Sequence, residues 1–550
     1  MKKLFILLIF FLNIQFAFTQ IVYQHISNSN IYEFLEEMAN MQIITINSAI
    51  KPYSRKLIAS KLKKIQEKEG LLNNRQKKEL NFYLKNFIKE IDDKKVTDYY
   101  FKKVFDKNKE DNSDKRLDLF YYKDSLFTFS VNPILGINYF INDKKTIYHS
   151  WNGAEAFAYI GKHWGFYANL RDNHEQEMLE TTDFFTQKTG AVYKGDGKGG
   201  GDYSEMRGGI TYSWKWGSIG LVKDHFAWGD NYNGSNIFSG RTPSFAHIKL
   251  NINPVKWFDF NYVHGWLVSE VVDSNRTYNY GNGIRTVFHN KYIAANMFTF
   301  IPFKKFNISV GNSIVYSDIG VHPAYLIPFL FYKSVDHTLN STDNRTGQNA
   351  QMFLNISSRQ IKHLHLYTSF FVDEISIGRM WDSDKQSNFV SGKFGFCLSN
   401  IIQNVSFISE YTRTNPLTYQ HLISTTTFET NNFNLGHYLR DNSQEIYFCI
   451  KLKPAKALHI DLSYIHAQHG NDYDYENMNG LSTLGLPFME NTIWDNETYS
   501  VKINYKVIND GFIFLEYISN NIADKGTIKH SPEFFRGCHN IISCGANLGF

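Results

Sequence analysis

Apolar and polar residues alternate at every second position through most of this chain. The stretch 244–270 shows the pattern as two runs joined by a tight turn at Pro254-Val255-Lys256. In the second run one face is apolar and the other is polar or small, with Phe258, Phe260, Tyr262 and Trp266 against Asp259, Asn261 and Gly265. This period of two predicts β-strands that each have one apolar face.

The same pattern predicts eighteen strands, whereas helix-length patterns are confined to about the first hundred residues. Bacterial barrels have an even number of strands, and eighteen fits that requirement. The predicted strands are 126–141, 155–161, 164–172, 206–213, 217–224, 244–254, 257–270, 287–299, 306–318, 351–359, 364–375, 389–399, 405–414, 445–453, 457–467, 497–508, 511–521 and 538–550.

The links between these strands alternate in length. Short turns such as 162–163, 255–256 and 454–456 are followed by long polar segments such as 173–205 and 415–444. This asymmetry is typical of outer-membrane barrels, and a soluble sandwich has no reason to keep it. We therefore predict an all-β transmembrane barrel of about eighteen antiparallel strands over 125–550. It lies in the bacterial cell outer membrane with lipid against its apolar face.

The first 124 residues have a different pattern. Residues 1–20 combine two lysines, an apolar run and a small-residue exit, which predicts a signal peptide that is excluded from the fold. In 21–124 we expect a small α-helical periplasmic region followed by a charged linker. One helix is capped by Asn30, a second is opened by Ser54, and a third spans about 74–91. We expect this region to act as a periplasmic plug under or partly inside the barrel.

Composition supports strands rather than helices as the membrane-crossing elements. The 550 residues are 43% hydrophobic and 16% aromatic, yet the mean hydropathy is −0.35. Beyond the N-terminus no run reaches the roughly 20 apolar residues that a spanning helix requires. The net charge of +5 is small, and we interpret the lysine-rich part, 51–115, as solvated helix surface, with no nucleic-acid partner. The four cysteines are predicted to be free thiols.

Motifs for catalysis or cofactor binding are weak. The Gly-rich run 195–202 lacks the Ser or Thr that completes a phosphate loop, and we interpret it as a flexible surface loop. His174, Glu175 and Glu177 form the densest metal-like cluster, but a second His at zinc-site spacing is missing. We therefore predict a non-enzymatic protein with no catalytic residue, metal or cofactor.

Charged side chains on the polar strand faces allow two interpretations. They can pair across the lumen, or some of them can bind glycan together with loop aromatics, because sugar rings stack on aromatic faces while their hydroxyls bind charged and amide groups. The charged positions are Glu155, Arg171, Arg207, Lys223, Asp224, Glu374, Lys393 and Glu410. The aromatic positions are Trp228, Tyr232, Tyr278, Tyr280, Trp381, Tyr473, Tyr475 and Trp494. The ligand-binding candidates are Lys223, Asp224, Trp228, Arg171, Arg207, Tyr232 and Trp381.

Several segments together resemble a known family. Residues 31–62, the run 220–224 with Trp228-Gly229, and 244–265 are similar to the Bacteroidetes branch of the Wzi-type capsule assembly proteins. The match is clearest at Lys223, Asp224, Trp228 and Gly229. The resemblance implies an eighteen-stranded barrel with a periplasmic helical element, acting as a non-enzymatic lectin that retains exported polysaccharide at the cell surface. The gliding-motility RemB group is a related alternative.

Three functions follow as hypotheses. The first is an outer-membrane barrel that binds or organises capsular or exopolysaccharide through its extracellular loops and lumen rim. The second is an accessory of gliding motility or protein secretion, which would require other envelope proteins as partners. The third is a porin or solute transporter.

Overall fold

A computed structural model describes residues 20–91, 119–340, 347–380, 388–473, 475, 485–508 and 511–549. In these residues eighteen antiparallel strands pair in chain order, and the last pairs with the first to close a barrel. They are β1 Phe127–Ile141, β2 Thr146–Ile160, β3 Trp164–Glu175, β4 Gly201–Trp214, β5 Gly217–Asp224, β6 Phe245–Val255, β7 Phe258–Val272, β8 Phe288–Phe303, β9 Phe306–Ser317, β10 Asn349–Ser358, β11 Leu364–Glu374, β12 Phe389–Ser399, β13 Val405–Thr414, β14 Ser443–Leu452, β15 Leu458–Gly470, β16 Thr492–Ile508, β17 Gly511–Asp524 and β18 Gly537–Leu548.

The strand number and the barrel fold predicted from the sequence are confirmed. One boundary is clearly wrong: β2 begins at Thr146 rather than at residue 155, so the link after β1 is only 142–145. The upper part of β2 carries Ser150 and Asn152 on its outer side, where polar residues replace apolar ones. The inner face there mixes Ile147 and Trp151 with His149, so neither face is uniformly apolar and the expected alternation is lost although the strand continues.

The two faces of the wall differ as a lipid-exposed barrel requires. On β5, for example, Ile219 and Leu221 point outward and are exposed, whereas Ser218, Gly220 and Val222 point inward. Exposed apolar side chains continue around the outer wall, for example Ile210, Phe394, Val501 and Leu515. An apolar exterior on a closed barrel is a membrane-spanning surface. Among the described residues, no helix is both long and apolar enough to cross a bilayer.

The helices before the barrel form a small bundle of α1 Ser29–Asn40, α2 Arg55–Gln66, α3 Asn74–Asn86 and α4 Ile88–Ile91. Their apolar faces share one buried core that includes Phe34, Leu62 and Leu80. Ser54 caps α2 as predicted, because its side chain accepts a hydrogen bond from the Leu57 amide. Asn30 is not a cap, since α1 already begins at Ser29.

This bundle docks against the short-turn end of the barrel. Asn404 and Lys305, which lie in short turns, contact Arg75 and Gln42 of the helical region at 3.0 and 2.7 Å. The Arg359 guanidinium donates to Asn40 at 2.8 Å. Short turns face the periplasm in outer-membrane barrels, so the bundle occupies the periplasmic end.

The lumen is filled from both ends. The segment after α1 enters from the bundle side, and the 225–244 link enters from the opposite side. They meet as a two-stranded antiparallel ribbon, Ile50–Lys51 with Ala227–Trp228. An apolar cluster surrounds this meeting point and joins the ribbon to inward side chains of the wall, including Ile293, Val315 and Phe371.

Shorter elements occupy the remaining links. The 318–348 link contains a 3-10 turn, Pro323–Leu326, and helix α5, Tyr332–Asn340, which lie against the outside of the wall. The strand Phe120–Lys123 pairs with the lower half of β1, below the part that β18 covers. The other short pieces are Lys194–Gly195, Tyr278–Asn279, Ile284–Arg285, Glu429–Thr430, Phe433–Asn434, and the 3-10 turns Glu69–Leu71, Ile377–Arg379, Ser424–Thr426 and Glu533–Phe535.

Candidate functional site

Three long loops converge at the end of the barrel opposite the helical bundle. They are the links 176–200, 225–244 and 415–442. The Gly190 amide donates to the Arg241 carbonyl at 2.6 Å, and the Ser239 amide donates to the Leu435 carbonyl at 2.8 Å. The Arg440 guanidinium donates to the Thr182 carbonyl. Backbone groups therefore hold the three loops to one another rather than leaving each loop separate.

Where the loops meet they leave a small cleft of about 30 Å³, whose lining we call the loop mouth. It combines three cationic side chains, three aromatic rings and four neutral polar side chains. No carboxylate is among these ten described residues. They are Thr182, Phe184, Thr186, Lys188, Ser239, Arg241, Phe433, Asn434, Tyr438 and Arg440.

The three cations differ in how well they are neutralised. Lys188 lies 3.3 Å from the Glu180 carboxylate, and the Arg440 guanidinium stacks 5.6 Å from the Phe185 ring. Arg241 is half-buried, and its Nη1 is a buried nitrogen that lacks a hydrogen-bond partner among the described residues. Burial lowers the pKa of Arg241 to about 10, so the guanidinium is still charged at neutral pH.

An under-neutralised guanidinium beside aromatic rings can bind an anionic, ring-shaped ligand. Arginine offers a planar fork that matches carboxylate geometry, and charge-assisted hydrogen bonds of this kind are the strong ones. Aromatic faces add stacking area for a sugar ring. The chemistry of the loop mouth therefore favours a sugar that carries a carboxylate over a neutral sugar.

The buried charges below the loop mouth are, by contrast, neutralised by neighbouring groups. Lys393 and Glu410 form an ion pair of 3.0 Å with both side chains fully buried. The same carboxylate accepts from the Tyr232 and Asn233 amides at 2.7 and 2.9 Å. The Tyr232 hydroxyl is 3.2 Å from His365. This network anchors the 225–244 loop inside the lumen, so Tyr232 has a structural position rather than a free binding face.

Arg207 and Asp224 are brought together on the lumen side of the wall, 3.6 Å apart. Asp224 also accepts from the Tyr167 hydroxyl at 2.8 Å and lies 3.8 Å from His25 of the N-terminal segment. These contacts hold that segment against the wall. Arg171 also points inward, and its guanidinium lies 5.8 Å from the Trp151 ring.

Two sequence-predicted placements are corrected. Lys223 was expected on the polar inner face with Asp224, but adjacent strand residues point to opposite faces, and Lys223 lies outward in the row of Ile219 and Leu221. Its amine donates to the Met206 carbonyl at 2.7 Å. Trp228 was expected as a loop aromatic, but its loop folds into the lumen and its side chain is 0% exposed. Trp381 lies outside the described residues.

The metal-like cluster noted in the sequence is also split. His174 points outward to Asp202, at 2.7 Å, while Glu175 points inward and is buried. Two other groups of the described residues place potential ligand atoms close enough for an ion: His25, Asp224 and His225, and His149, Glu175 and Glu180.

The loop-mouth residues are not among the candidates predicted from the sequence, which are tryptophans, tyrosines and charged strand residues. A signal was present. Each of the three loops places a basic residue within four positions of an aromatic one, as in Phe184 with Lys188, Phe238 with Arg241, and Tyr438 with Arg440. The sequence does not show that these three pairs lie close together in the folded protein.

Several solved structures are similar to this chain. Escherichia coli Wzi, described as an outer-membrane protein involved in group 1 capsule assembly and as a carbohydrate-binding β-barrel, aligns at TM-score 0.57 and 10% identity over 97% of this chain and 100% of that one. Pseudomonas aeruginosa OccD3 (OpdP) and Acinetobacter baumannii OccAB2 align at TM-scores of only 0.39 and 0.41, each at 10% identity, over 76% of this chain and 91% and 97% of theirs. No protein-family model and no curated sequence matches the chain.

The similarity to Wzi confirms the predicted resemblance at the level of fold. It agrees with the closed barrel, the N-terminal helices and the apolar outer wall described above. Together these features place the protein in the bacterial outer membrane. At 10% identity the similarity does not carry residue roles.

Proposed function

We propose that the protein is a non-enzymatic outer-membrane barrel that binds acidic surface polysaccharide at its loop mouth. The observation that carries the proposal is the meeting of Lys188, Arg241 and Arg440 with aromatic rings and without a lining carboxylate. The shared fold with Wzi, a barrel described as carbohydrate-binding, supports the same ligand class. Membership of the Bacteroidetes capsule branch or of the RemB group is part of this proposal.

The first test compares where polysaccharide is found in cells. Deleting the gene should move capsule or exopolysaccharide from the cell surface into the medium. Unchanged cell-bound polysaccharide in the deletion strain would count heavily against retention. Loss of spreading with cell-bound polysaccharide intact would instead favour the gliding or secretion hypothesis.

A charge-matched pair of variants then separates the loop mouth from total charge. Lys188→Gln with Arg241→Gln removes two cations from the loop mouth. Lys198→Gln with Arg276→Gln removes two from exposed loop positions elsewhere. We expect the first pair, and not the second, to fail in restoring cell-bound polysaccharide to the deletion strain. Equal restoration by both pairs would contradict the proposed site.

The porin hypothesis is tested by conductance. The ribbon of Ile50–Lys51 with Ala227–Trp228 and its surrounding apolar cluster fill the lumen at mid-height. Purified protein in a planar bilayer should therefore be nearly non-conducting. Stable open channels of porin size would favour solute diffusion over polysaccharide retention.

A further inference from the structure

Part of the outer wall is covered by the chain itself rather than left bare. The outward side chains of Tyr262, His264, Ala294 and Ile314 are buried, although they point away from the lumen. The residues that bury them belong to the 318–348 link, chiefly Tyr325 and Tyr332, which are fully buried against the wall. We call residues 319–340 the outer strap.

The pairing of the strands shows which wall residues lie beside the outer strap. Tyr262 pairs with Leu250, which in turn pairs with Ile219, and His264 reaches Leu221 in the same way through Ile248. Ile219 and Leu221 belong to the bare, exposed apolar wall. On β7 itself, Trp266 and Val268 continue the exposed apolar row towards the long-loop end, so the outer strap lies within the apolar belt of the barrel and not above it.

Polar groups of the wall and of the outer strap are hydrogen-bonded to one another. Asn296 and Asn312 both point outward, where an unpaired amide facing lipid would be costly. The Asn296 amide donates to the carbonyls of Pro328 and Leu330 at 3.0 and 2.9 Å. The Tyr332 amide donates to the Asn312 side-chain oxygen at 2.9 Å.

Irregular backbone is tolerated at membrane depth only where protein groups satisfy it. The two asparagines meet that condition for the bend before helix α5. The Tyr262 hydroxyl does the same for the Tyr325 carbonyl at 2.8 Å. These bonds fix the outer strap to the wall and leave these groups of the bend paired, as membrane depth requires.

Over residues 323–332 the other side of the outer strap is apolar and uncharged. Residues 323–332 read PAYLIPFLFY. Leu326, Ile327, Phe329 and Phe331 are exposed, and Phe329 is 66% exposed. The surface that replaces the buried wall is therefore as apolar as the wall on either side of it.

We propose that the outer strap is inserted into the outer leaflet, with lipid acyl chains as the partner of its exposed apolar side chains. Lipid is the expected occupant because the outer strap is continuous with the lipid-facing wall and because side chains of the wall pair its backbone groups. The link begins and ends on the long-loop side of the barrel, so the leaflet is the extracellular one.

The test measures collision rates of a nitroxide label with oxygen and with a water-soluble nickel complex in phospholipid vesicles. The full chain with Cys538→Ser and Cys544→Ser provides the background, since Cys397 and Cys449 are buried. Labels are placed by Phe329→Cys in the outer strap, Leu221→Cys on the bare wall and Tyr280→Cys on an exposed loop.

The Phe329 label should match the Leu221 label, with an oxygen-to-nickel ratio several-fold above that of the Tyr280 label. A ratio like that of Tyr280 would overturn the proposal, because it would place the outer strap in water. Shielding from both collision partners would also overturn it, since a protein surface would then cover the outer strap. In an Asn296→Leu, Asn312→Leu background, the Phe329 ratio should fall towards the Tyr280 value. An unchanged ratio would contradict the role of the two asparagines in holding the outer strap at membrane depth.

Discussion

The two ends of this barrel differ in how fully their charged side chains are paired. At the helical end, Arg75 lies between Glu37 and Glu79, and Lys453 approaches Glu37 at 3.4 Å, with all four side chains buried. At the loop mouth, Arg241 keeps a buried nitrogen without a hydrogen-bond partner among the described residues. Each charge of the first group forms an ion pair with an opposite charge, whereas Arg241 forms none among the described residues.

This contrast separates structural charges from binding charges. A buried charge whose neighbours neutralise it holds elements together, and removing one partner is strongly destabilising. A cation without a full set of acceptors contributes little to folding but can bind an anion tightly. We therefore expect substitutions at the helical end to change stability and substitutions at the loop mouth to change affinity.

The largest effect is expected for Glu37→Gln at the helical end. Besides Arg75 and Lys453, Glu37 accepts from Gln76 and Asn400 at 2.8 and 2.7 Å. Neutralising it should lower the free energy of unfolding of the docked helical region by about 3 kcal/mol, because Lys453 loses its ion-pair partner and Arg75 keeps only Glu79. The measurement is urea-dependent proteolysis of the helical region in detergent.

Exposed Glu67 on the same bundle provides the control, and Glu67→Gln should change stability by less than about 0.5 kcal/mol. Equal effects at the two positions would show that the Glu37 ion pairs are not what docks the bundle.

Arg241→Gln at the loop mouth should weaken binding of an acidic probe, oligogalacturonate, by about tenfold or more, since a charged hydrogen bond contributes roughly 1.5–3 kcal/mol. Binding of a neutral dextran fragment should be weak in both proteins. Because Arg241 lacks a full set of internal partners, the thermal stability of the barrel should not fall. Titration calorimetry and thermal unfolding in detergent make both measurements.

The matched control is Arg276→Gln, since Arg276 is exposed and already paired with Asp273 at 2.6 Å. An equal loss of affinity in both variants would indicate general electrostatic attraction rather than a site. A loss of stability in Arg241→Gln alone would place this arginine among the structural charges.

Lowering the pH should destabilise the 415–442 loop and the helical bundle over different pH ranges. Burial lowers the pKa of His421, in the 415–442 loop, to about 4, and its ring nitrogen accepts from Thr426 and Ile423. Its neutral form is favoured in the folded loop, so this stability is present above pH 6.5 and is lost as the pH falls towards 4. Burial opposes ionisation of Glu37, but Lys453 and Arg75 outweigh it and hold the pKa at about 2. That contribution is present above about pH 4.5 and is lost towards pH 2.

Hydrogen exchange at stepped pH, corrected for intrinsic rates, should show protection lost first in the 415–442 loop and only later in α1 and α3. His421→Gln should remove the first transition and leave the second. Simultaneous loss at both ends would contradict the assignment of separate groups.

The barrel was predictable because each strand encodes its own pattern. Every lipid-crossing segment repeats the period of two, and the alternation of short and long links follows without knowledge of tertiary contacts. The prediction weakened where the environment changes, as over residues 146–153 of β2. There the outer face carries Ser150 and Asn152 and the inner face carries Ile147 and Trp151, so the usual apolar–polar order is lost.

The site was less predictable because it depends on the paths of the long loops in the folded protein. Trp228 lies in a long polar link, and nothing local shows that this link turns into the lumen. Arg241 and Arg440 are far apart in sequence and meet only through contacts between loops. Asn296 and Asn312 did carry a readable signal, since each interrupts an apolar outward row, but its meaning required the outer strap.

The smallest effect is expected at Lys223, which the family resemblance singled out most clearly. It points away from the lumen and donates to Met206 and to the Ser244 hydroxyl, at 2.7 and 2.5 Å. Lys223→Met should therefore leave oligogalacturonate affinity within about twofold, because the side chain lies on the opposite side of the wall from the loop mouth. The same calorimetric titration used for Arg241 measures it. A tenfold loss would show that binding extends over the outer rim, and the distinction between the loop mouth and the rest of the surface would then fail.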